Sequence, residues 1–262
     1  MISRKSEKLR NRENWLGLPK IRSLRSLQLS LPRGFTIIEL LITLSIVAIL
    51  LSIMMPGLKA ARESANRIQC SSNLRQIGLA IYLYAFQNGE RLPETIFDNE
   101  GLEKSGEMMA LTTGSMSNPE LEKQWDGLGL LIGDGYKFLD NSRCLYCPCH
   151  RGTHNHSQLV GDAKSSPVRL YSNYHFRGDT DIATQQHRFL FLQSSDNCLV
   201  ADGMREESDI NHKTGTNTLR GDISVRFWSD NSKLLRNTMQ SHSVDDPATE
   251  ENYEKLWTNF NK

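Results

Sequence analysis

The chain has 262 residues and a formal net charge of +1, which is enough length for one or two domains with a real core. This small charge hides an asymmetry, because residues 1–34 carry nine basic and two acidic residues, a net +7, and the remainder is at −6. A basic arm can bind nucleic acid, but this one runs directly into an apolar segment. The pattern therefore favours a flank retained in the cytoplasm over a nucleic-acid-binding arm, and we expect no nucleic-acid partner.

The apolar segment covers residues 35–55, and its only charged residue is Glu39. A helix of that length extends about 31 Å, close to the ~30 Å thickness of a bilayer's hydrocarbon core. A buried core helix of a soluble protein is the alternative, but such helices are usually shorter. No second apolar run of this size follows, so we predict a single-pass membrane protein with residues 1–34 as a cytoplasmic leader.

The junction Arg33-Gly34-Phe35 is the natural processing point. An ordinary secretory signal is cut after its apolar region, whereas this junction precedes it. Glycine has no Cβ, so a protease can approach the Gly34 backbone closely. A carboxylate within a membrane segment is costly and usually has a partner, which makes Glu39 a candidate assembly residue. The alternative is that Glu39 only extends to the membrane interface.

A helical period resumes directly after Pro56 and continues to Asn88-Gly89, a typical C-terminal stop. We predict one helix over residues 36–87, kinked near Pro56 and amphipathic over 57–88. Its apolar stripe is expected to pack on a globular head or on other subunits. The stripe consists of Leu58, Ala61, Ala65, Ile68, Leu74, Ile77, Ile81 and Tyr84, and the opposite face starts with Arg62, Glu63, Asn66, Arg67 and Gln69.

Residues 89–262 are predicted to form a loop-rich α+β head with an antiparallel sheet. Around residues 124–148 the pattern indicates a short helix and then an extended segment. The triplet Arg220-Gly221-Asp222 is a weak adhesion motif, and turns favour Gly and Asp, so we interpret it as a hairpin turn within 217–228. Strands are predicted from β-branched and aromatic residues at 188–193, 197–203 and 223–228.

Soft metal ligands are densest at Cys144, Cys147, Cys149 and His150. Such a set could hold zinc, since C-x₂-C supplies a common first ligand pair, although the second pair is irregular. Disulfides in an oxidising envelope are the alternative, and unpaired thiols are a third. Among disulfides we favour Cys70 with Cys147, because that bond would join the long helix to the head.

The stretch RGFTIIELLITLSIVAILLSIMMPGLKAARESA closely resembles the class III signal of type IV pilins and of type II secretion pseudopilins. The resemblance implies a pilin-like fold, cleavage after Gly34 by a prepilin peptidase, and N-methylation of Phe35. It also implies that Glu39 pairs with the freed N-terminal amine of a neighbouring subunit. Pro56 falls where the family has a proline.

The head resembles a narrower group of pilin-like proteins from planctomycetes, verrucomicrobia and lentisphaerae. The shared features are a C-x-x-N-L-R-Q-I-G-L-A segment from Cys70, a Tyr-Cys-Pro at Cys147, and a His followed after nine residues by Asp-Gly. Here that last motif is His212 with Asp222, but Ile223 replaces the glycine. Because β-branched residues rarely tolerate positive φ, we expect no special turn conformation at Ile223.

Calcium is implied by the pseudopilin resemblance, since major pseudopilins bind it in a C-terminal loop. Calcium needs six to eight oxygen ligands. The segment 202–209 lacks a regular ligand pattern, so a solvated acidic loop is the alternative. Its acidic residues are Asp202, Glu206, Glu207 and Asp209.

The expected function is a structural one: a pseudopilin-like subunit of a type II secretion-like or type IV pilus-like system in the bacterial inner membrane, with the head extracytoplasmic. Expected partners are a prepilin peptidase/N-methyltransferase and other pilin-like subunits. No nucleophile motif or phosphate loop is present, so we expect no enzymatic activity and no cofactor beyond a possible zinc or calcium ion. The alternative is a membrane-tethered binding module that does not polymerise.

Overall fold

Helix α1 spans Ile37–Gln87, 51 residues that continue through Pro56. It ends where the sequence predicts, because Gly89 adopts a left-handed conformation with φ 66° and the Glu90 amide donates a hydrogen bond to the Ala85 carbonyl oxygen at 2.7 Å.

The structure is a computed structural model that describes residues 34–95, 108–113, 124–133, 137–157, 159, 169–178, 180–181, 186–188, 190, 195–240 and 250–262.

The chain divides into two units, Met1–Ile53 and Met54–Lys262, and α1 contributes residues to both. In the first unit, every described residue is exposed, including all the large apolar side chains. By length and composition α1 could cross a membrane, and its most apolar window is 0% buried within the protein. The apolar segment therefore has no core of its own to occupy.

In the second unit, the apolar packing of α1 on the head begins at Cys70. Its fully or nearly buried residues recur at helical spacing and join a core shared with residues of the head. They are Cys70, Asn73, Leu74, Ile77, Gly78, Ala80, Ile81 and Ala85. The predicted apolar stripe is thus buried against the head at Leu74, Ile77 and Ile81, and Tyr84 is half-buried.

The first part of that stripe faces solvent. Leu58 and Ile68 are both 69% exposed, while the polar Glu63 and Arg67 are half-buried. The Arg67 guanidinium lies 4.3 Å from the centre of the Phe227 ring. Between residues 58 and 69 the side of α1 that contacts the head is therefore polar. The spacing of apolar residues in the sequence does not predict this.

Four antiparallel strands form the main sheet, in the order β1-β4-β5-β6. A second sheet pairs β2 with β3. The fold is therefore α+β with a long N-terminal helix packed on an antiparallel sheet, as predicted. The strands are β1 Tyr174–Phe176, β2 Thr180–Asp181, β3 Gln186–His187, β4 Cys198–Asp202, β5 Gly215–Arg220 and β6 Val225–Ser229.

The sheet lies between two apolar clusters, which explains why all residues of β4 and β5 are buried. Leu199 and Val200 pack into the core that includes α1, whereas Cys198 and Ala201 pack into a second cluster. That second cluster is built by the helices α2, Leu234–Gln240, and α3, Glu250–Phe260. Neither helix was expected from the sequence.

Predicted strands 197–203 and 223–228 correspond to β4 and β6, and the turn at 220–222 joins β5 to β6. The strand predicted over 188–193 is wrong at Arg188 and Leu190, neither of which lies in a strand, and its other residues lie outside the described ones. In 124–148 the described structure has two 3₁₀ helices, Gly127–Leu131 and Ser142–Leu145, where a helix and an extended segment were predicted.

Ile223 adopts φ 66°, so the expectation of an ordinary conformation there is wrong. Its side chain is half-buried and packs on the core. A Cβ added to Gly78 of α1 would lie 2.9 Å from Ile223 Cγ2 and 2.8 Å from Leu219 Cδ1. Packing against this glycine therefore offsets a left-handed backbone that costs a β-branched residue roughly 1–2 kcal/mol.

We expect Ile223→Gly to be more stable than Ile223→Ala by about 1 kcal/mol, because alanine keeps the backbone strain and loses the packing, whereas glycine removes the strain. Denaturant unfolding of the detergent-solubilised chain measures this. The same pair of changes at Val225, half-buried in β6, should show the usual order, with alanine the more stable. An alanine variant more stable than the glycine variant at 223 would contradict the strain.

Candidate functional site

The processing and assembly residues lie at the start of α1. Gly34 and Phe35 precede the helix, and Phe35 is 72% exposed. The Thr36 amide and hydroxyl donate to Glu39 Oε2 at 2.9 and 2.8 Å, and the Glu39 amide donates back to Thr36 Oγ1 at 3.3 Å. These reciprocal hydrogen bonds form a capping box, which satisfies backbone N–H groups that have no partner within the first turn of the helix.

This local role of Glu39 was not among the features predicted from the sequence. The signal was present, because Thr36-Ile37-Ile38-Glu39 has the T-x-x-E spacing of a capping box. Glu39 thus has a partner within its own chain. Pro56, the other predicted assembly residue, lies exposed inside α1.

The long helix is covalently joined to the head. Cys70 of α1 and Cys147, which follows the 3₁₀ helix Ser142–Leu145, form a disulfide across 77 residues. Both are buried. Next to this bond, Asn73 Nδ2 donates to the Tyr146 carbonyl oxygen and to the Tyr174 hydroxyl, each at 3.2 Å. A covalent link and buried hydrogen bonds therefore hold the same turn of α1.

The four residues of the predicted zinc set are not brought together as a common ligand set. Cys147 is used in the disulfide, and the Cys144 thiol contacts the Asn141 carbonyl oxygen. Cys149 Sγ lies 3.9 Å from Glu63 Oε2, and His150 Nδ1 lies 3.1 Å from Asn211 Oδ1. Burial raises the pKa of the Cys144 thiol to about 11, as expected for a thiol in apolar surroundings.

His212 lies at the centre of a buried polar network. Its Nδ1 is 3.3 Å from Glu63 Oε1, and its Nε2 is 3.5 Å from Asp202 Oδ2 and 3.1 Å from Asn217 Nδ2. Asn217 also donates to Asp202 Oδ2 twice, through its backbone N–H at 2.6 Å and through its side-chain Nδ2 at 3.1 Å. The network therefore connects α1 to two adjacent strands, at the last residue of β4 and within β5.

These contacts indicate where the proton of a neutral His212 ring lies. A carboxylate only accepts hydrogen bonds, and a side-chain amino group only donates them. The two closer contacts, Glu63 at Nδ1 and Asn217 Nδ2 at Nε2, favour the proton on Nδ1, whereas Asp202 Oδ2 at 3.5 Å from Nε2 favours the other tautomer. Asp222, the other end of the spaced motif that begins at His212, is not part of this network, and its Oδ1 accepts from the Ser224 amide in the hairpin turn.

Two groups of potential metal ligands converge on His212 among the described residues. In one, single ligand atoms of Glu63, Cys149 and His212 all lie within 4.8 Å of one another. In the other, the same limit holds for Cys70, Cys147, Asp202 and His212, but its two sulfur atoms are bonded to each other. Sequence spacing could not find these groups, because their members lie far apart in the chain: Glu63 and His212 are 149 residues apart, and Cys70 and Cys147 are 77 residues apart.

The acidic segment 202–209 does not gather around one point. Asp202 belongs to the His212 network, Glu207 Oε1 accepts from Gln240 Nε2 at 2.9 Å, and Glu206 accepts from Ser208. Within the part of the chain that the structure describes, its four carboxylates form no shared ligand cluster. This arrangement does not fit the six to eight oxygens that calcium takes.

Asp209 is the most unusual acid of this segment. Its side chain is fully buried, neither carboxylate oxygen has a hydrogen-bond partner among the described residues, and His150 Nε2 is 3.8 Å away. Burial, and next the charge of Glu206, raises the pKa of Asp209 to about 7. Burial lowers the pKa of His150. Both groups are therefore favoured in their neutral forms.

We expect Asp209→Asn to remove a pH dependence of stability. The folded protein keeps the Asp209 proton between about pH 4 and 7 while the unfolded chain loses it, so the free energy of unfolding falls as pH rises through that window. Asp209→Asn should equal the parent at pH 4 and exceed it by about 2–4 kcal/mol at pH 8. Thermal unfolding at the two pH values measures this.

Asp222→Asn is the matched control. Asp222 is exposed, and its hydrogen bonds to Ser224 lower its pKa, so its loss should reduce stability at pH 8 instead of increasing it. Equal effects of Asp209→Asn at pH 4 and pH 8 would contradict a buried protonated Asp209.

Comparison with known families gives two adjoining matches. Residues 30–55 match the family described as the prokaryotic N-terminal methylation motif, and residues 59–125 match one described as a protein of unknown function, DUF1559. No curated protein and no solved structure matched the chain. The interval from His212 to Asp222 lies outside both matches. Together the methylation motif and the DUF1559 match support a type IV pilin-like protein.

Proposed function

We propose that the chain is a pseudopilin-like structural subunit that a prepilin peptidase cleaves after Gly34 and methylates on Phe35. The observation that carries the proposal is the methylation motif over residues 30–55, located where the exposed apolar helix begins. The subunit then assembles with other pilin-like subunits in a type II secretion-like or type IV pilus-like system. Its role is structural and not enzymatic.

The exposed apolar surface supports assembly. Side chains such as Leu44 and Ile53 are 58% and 72% exposed, and residues beyond the membrane-length segment, such as Leu58 and Ile68, are also exposed. Large contiguous apolar surface of this kind usually marks a membrane or protein contact. Lipid can cover residues 35–55 before assembly, and neighbouring helices can cover both parts of this surface afterwards.

Glu39 has two roles in this proposal. Within one subunit its carboxylate caps α1 through Thr36. After cleavage, Phe35 carries a new N-terminal amine, and a neighbour's Glu39 can neutralise it. A carboxylate has two oxygens and about four acceptor positions, so capping and pairing are compatible. Unpaired charges in an apolar setting are costly, which makes the pair favour one axial register.

Charge and cysteine chemistry support one orientation in the membrane. The net +7 of residues 1–34 favours retention on the cytoplasmic side of the inner membrane. The Cys70–Cys147 disulfide belongs to the head, and disulfides persist in oxidising compartments outside the cytoplasm. We therefore propose a single-pass protein with an extracytoplasmic head.

A tethered binding module is the second candidate, favoured by one cleft on the head. Its charged lining residues are three cations, Arg151, Lys213 and Arg236, and one acid, Glu207; Ser208, Ile210, Asn211 and His212 also line it. Three cations around one cleft suit an anionic envelope polymer. This candidate needs no contact between subunits, so it gives the charge of Glu39 no function.

We expect Glu39→Gln to be cleaved and membrane-bound but not assembled. Glutamine also completes a capping box, so the helix start is preserved while the charge is lost. The yield of multimers, recovered by shearing or by crosslinking of the envelope fraction, should fall about tenfold or more. Cleavage is followed by the mass of the extracted subunit.

Thr36→Ala is the matched control, because it removes the capping hydroxyl and keeps the Glu39 charge. It should assemble. Normal multimers from Glu39→Gln would contradict the assembly role and favour the tethered module. Loss of multimers from both variants would instead show that the capping hydroxyl of Thr36 is itself needed for assembly, so that charge pairing by Glu39 is not the sole requirement.

A further inference from the structure

We propose that Glu63, Cys149 and His212 form a zinc site on the head side of α1, with Asp202 as the residue that positions His212. This site is independent of filament assembly, and it differs from the cysteine-rich set that sequence spacing indicates. The three ligands come from α1, from the loop after the disulfide, and from the loop before β5.

The two separations that involve Glu63 are close to those that one tetrahedral ion requires, and all three ligand atoms lie within 4.8 Å of one another. Zinc bond lengths of about 2.0–2.3 Å place oxygen and nitrogen ligands about 3.3 Å apart, and oxygen and sulfur ligands about 3.6 Å apart. Glu63 Oε1 is 3.3 Å from His212 Nδ1, and Glu63 Oε2 is 3.9 Å from Cys149 Sγ. Small side-chain adjustments are enough to bring one Glu63 oxygen to the ion.

The surroundings of His212 suit a metal ligand. Histidine ligands usually donate their second ring N–H to a carboxylate, which fixes the ring orientation. Asp202 Oδ2 is 3.5 Å from His212 Nε2, and both side chains are almost fully buried. Asp202 Oδ1, also buried, has no hydrogen-bond partner among the described residues.

Binding moves two protons. Zn²⁺ displaces the thiol proton of Cys149 to solvent and forms a Zn–S bond. The Nδ1 lone pair of His212 becomes the nitrogen ligand, so the ring proton moves to Nε2, where it faces Asp202. The Asn217 side chain keeps its bond to Asp202 and gives up the one to Nε2. Two ligand charges, from Glu63 and Cys149, then neutralise the ion.

Access distinguishes this site from the other ligand group. The Glu63 side chain is 36% exposed, so an ion can enter along α1 and keep a water as its fourth ligand. Cys70, Cys147, Asp202 and His212 could offer four ligands only after a dithiol reductant opens the disulfide. The proposed site needs no such reductant.

The test uses the full chain in detergent, with the Cys70–Cys147 disulfide verified by mass spectrometry and no reductant present. We expect about one equivalent of zinc after dialysis, and we expect Co²⁺ to give a sulfur-to-metal charge-transfer band. Cys149→Ser should abolish that band, and Glu63→Gln should weaken zinc binding at least about tenfold. Asp202→Asn, a positioning change, should weaken it about 10–100-fold.

Cys144→Ser is the matched control, since it removes a neighbouring buried thiol that belongs to the sequence-predicted set and not to this site. It should bind zinc and cobalt like the parent. Glu63→Gln keeps the proposal testable if a buried variant fails to fold, because Glu63 is partly exposed; unfolding temperatures monitor this. Three results would overturn the proposal: no zinc in the oxidised protein, unchanged binding by Glu63→Gln, or binding only after reduction and dependent on Cys70.

Discussion

The packing of α1 from Cys70 to Ala85 against the central sheet is the contact on which the rest of the head depends. This segment supplies one side of the main core, and the buried strands β4 and β5 lie directly against that core. The disulfide from Cys70 holds the start of this contact, and the close approach of Ile223 to Gly78 lies further along it. Closing a 77-residue loop restricts the unfolded chain, so the bond adds about 4 kcal/mol in the chain-entropy model.

Upstream of Cys70, the same helix meets the head through polar groups. Glu63 contacts His212 and Arg67 covers Phe227, so the apolar side chains of residues 58–68 remain on the outside. This reversal matters for the proposed assembly. A helix that used its apolar stripe to hold its own head would have little left for neighbours, whereas this one keeps that stripe available beyond the membrane-length segment.

Short-range patterns predicted the features that depend on neighbouring residues. The length of the apolar run, the helical period and the stop at Asn88-Gly89 predicted α1 to within one residue of Ile37–Gln87, and turn chemistry predicted the β5–β6 hairpin. Long-range contacts were not predictable. The partner of Glu63 lies 149 residues away, and contacts of this kind determine which side of α1 faces the head between residues 58 and 69.

Ile223 and Glu39 show two other limits of the sequence pattern. The backbone preference of a β-branched residue disfavours a left-handed conformation at Ile223, but packing on Gly78 offsets that cost. The residues around Ile223 in the sequence do not reveal that Gly78 lies beside it. For Glu39 the sequence contains the T-x-x-E spacing of a capping box. Because Glu39 lies in a membrane-length apolar segment, however, we predicted a hydrogen-bonding partner in another subunit. The structure adds a partner three residues away.

The most direct test of the account is the intact mass and N-terminal sequence of wild-type protein extracted from membranes of a host that has a prepilin peptidase. The account predicts a chain that begins at N-methylated Phe35 and has lost the basic leader of residues 1–34. Its apolar helix then forms the new N-terminus, as assembly requires. An unprocessed chain, or one that begins beyond Met55 and so lacks that helix, would contradict it.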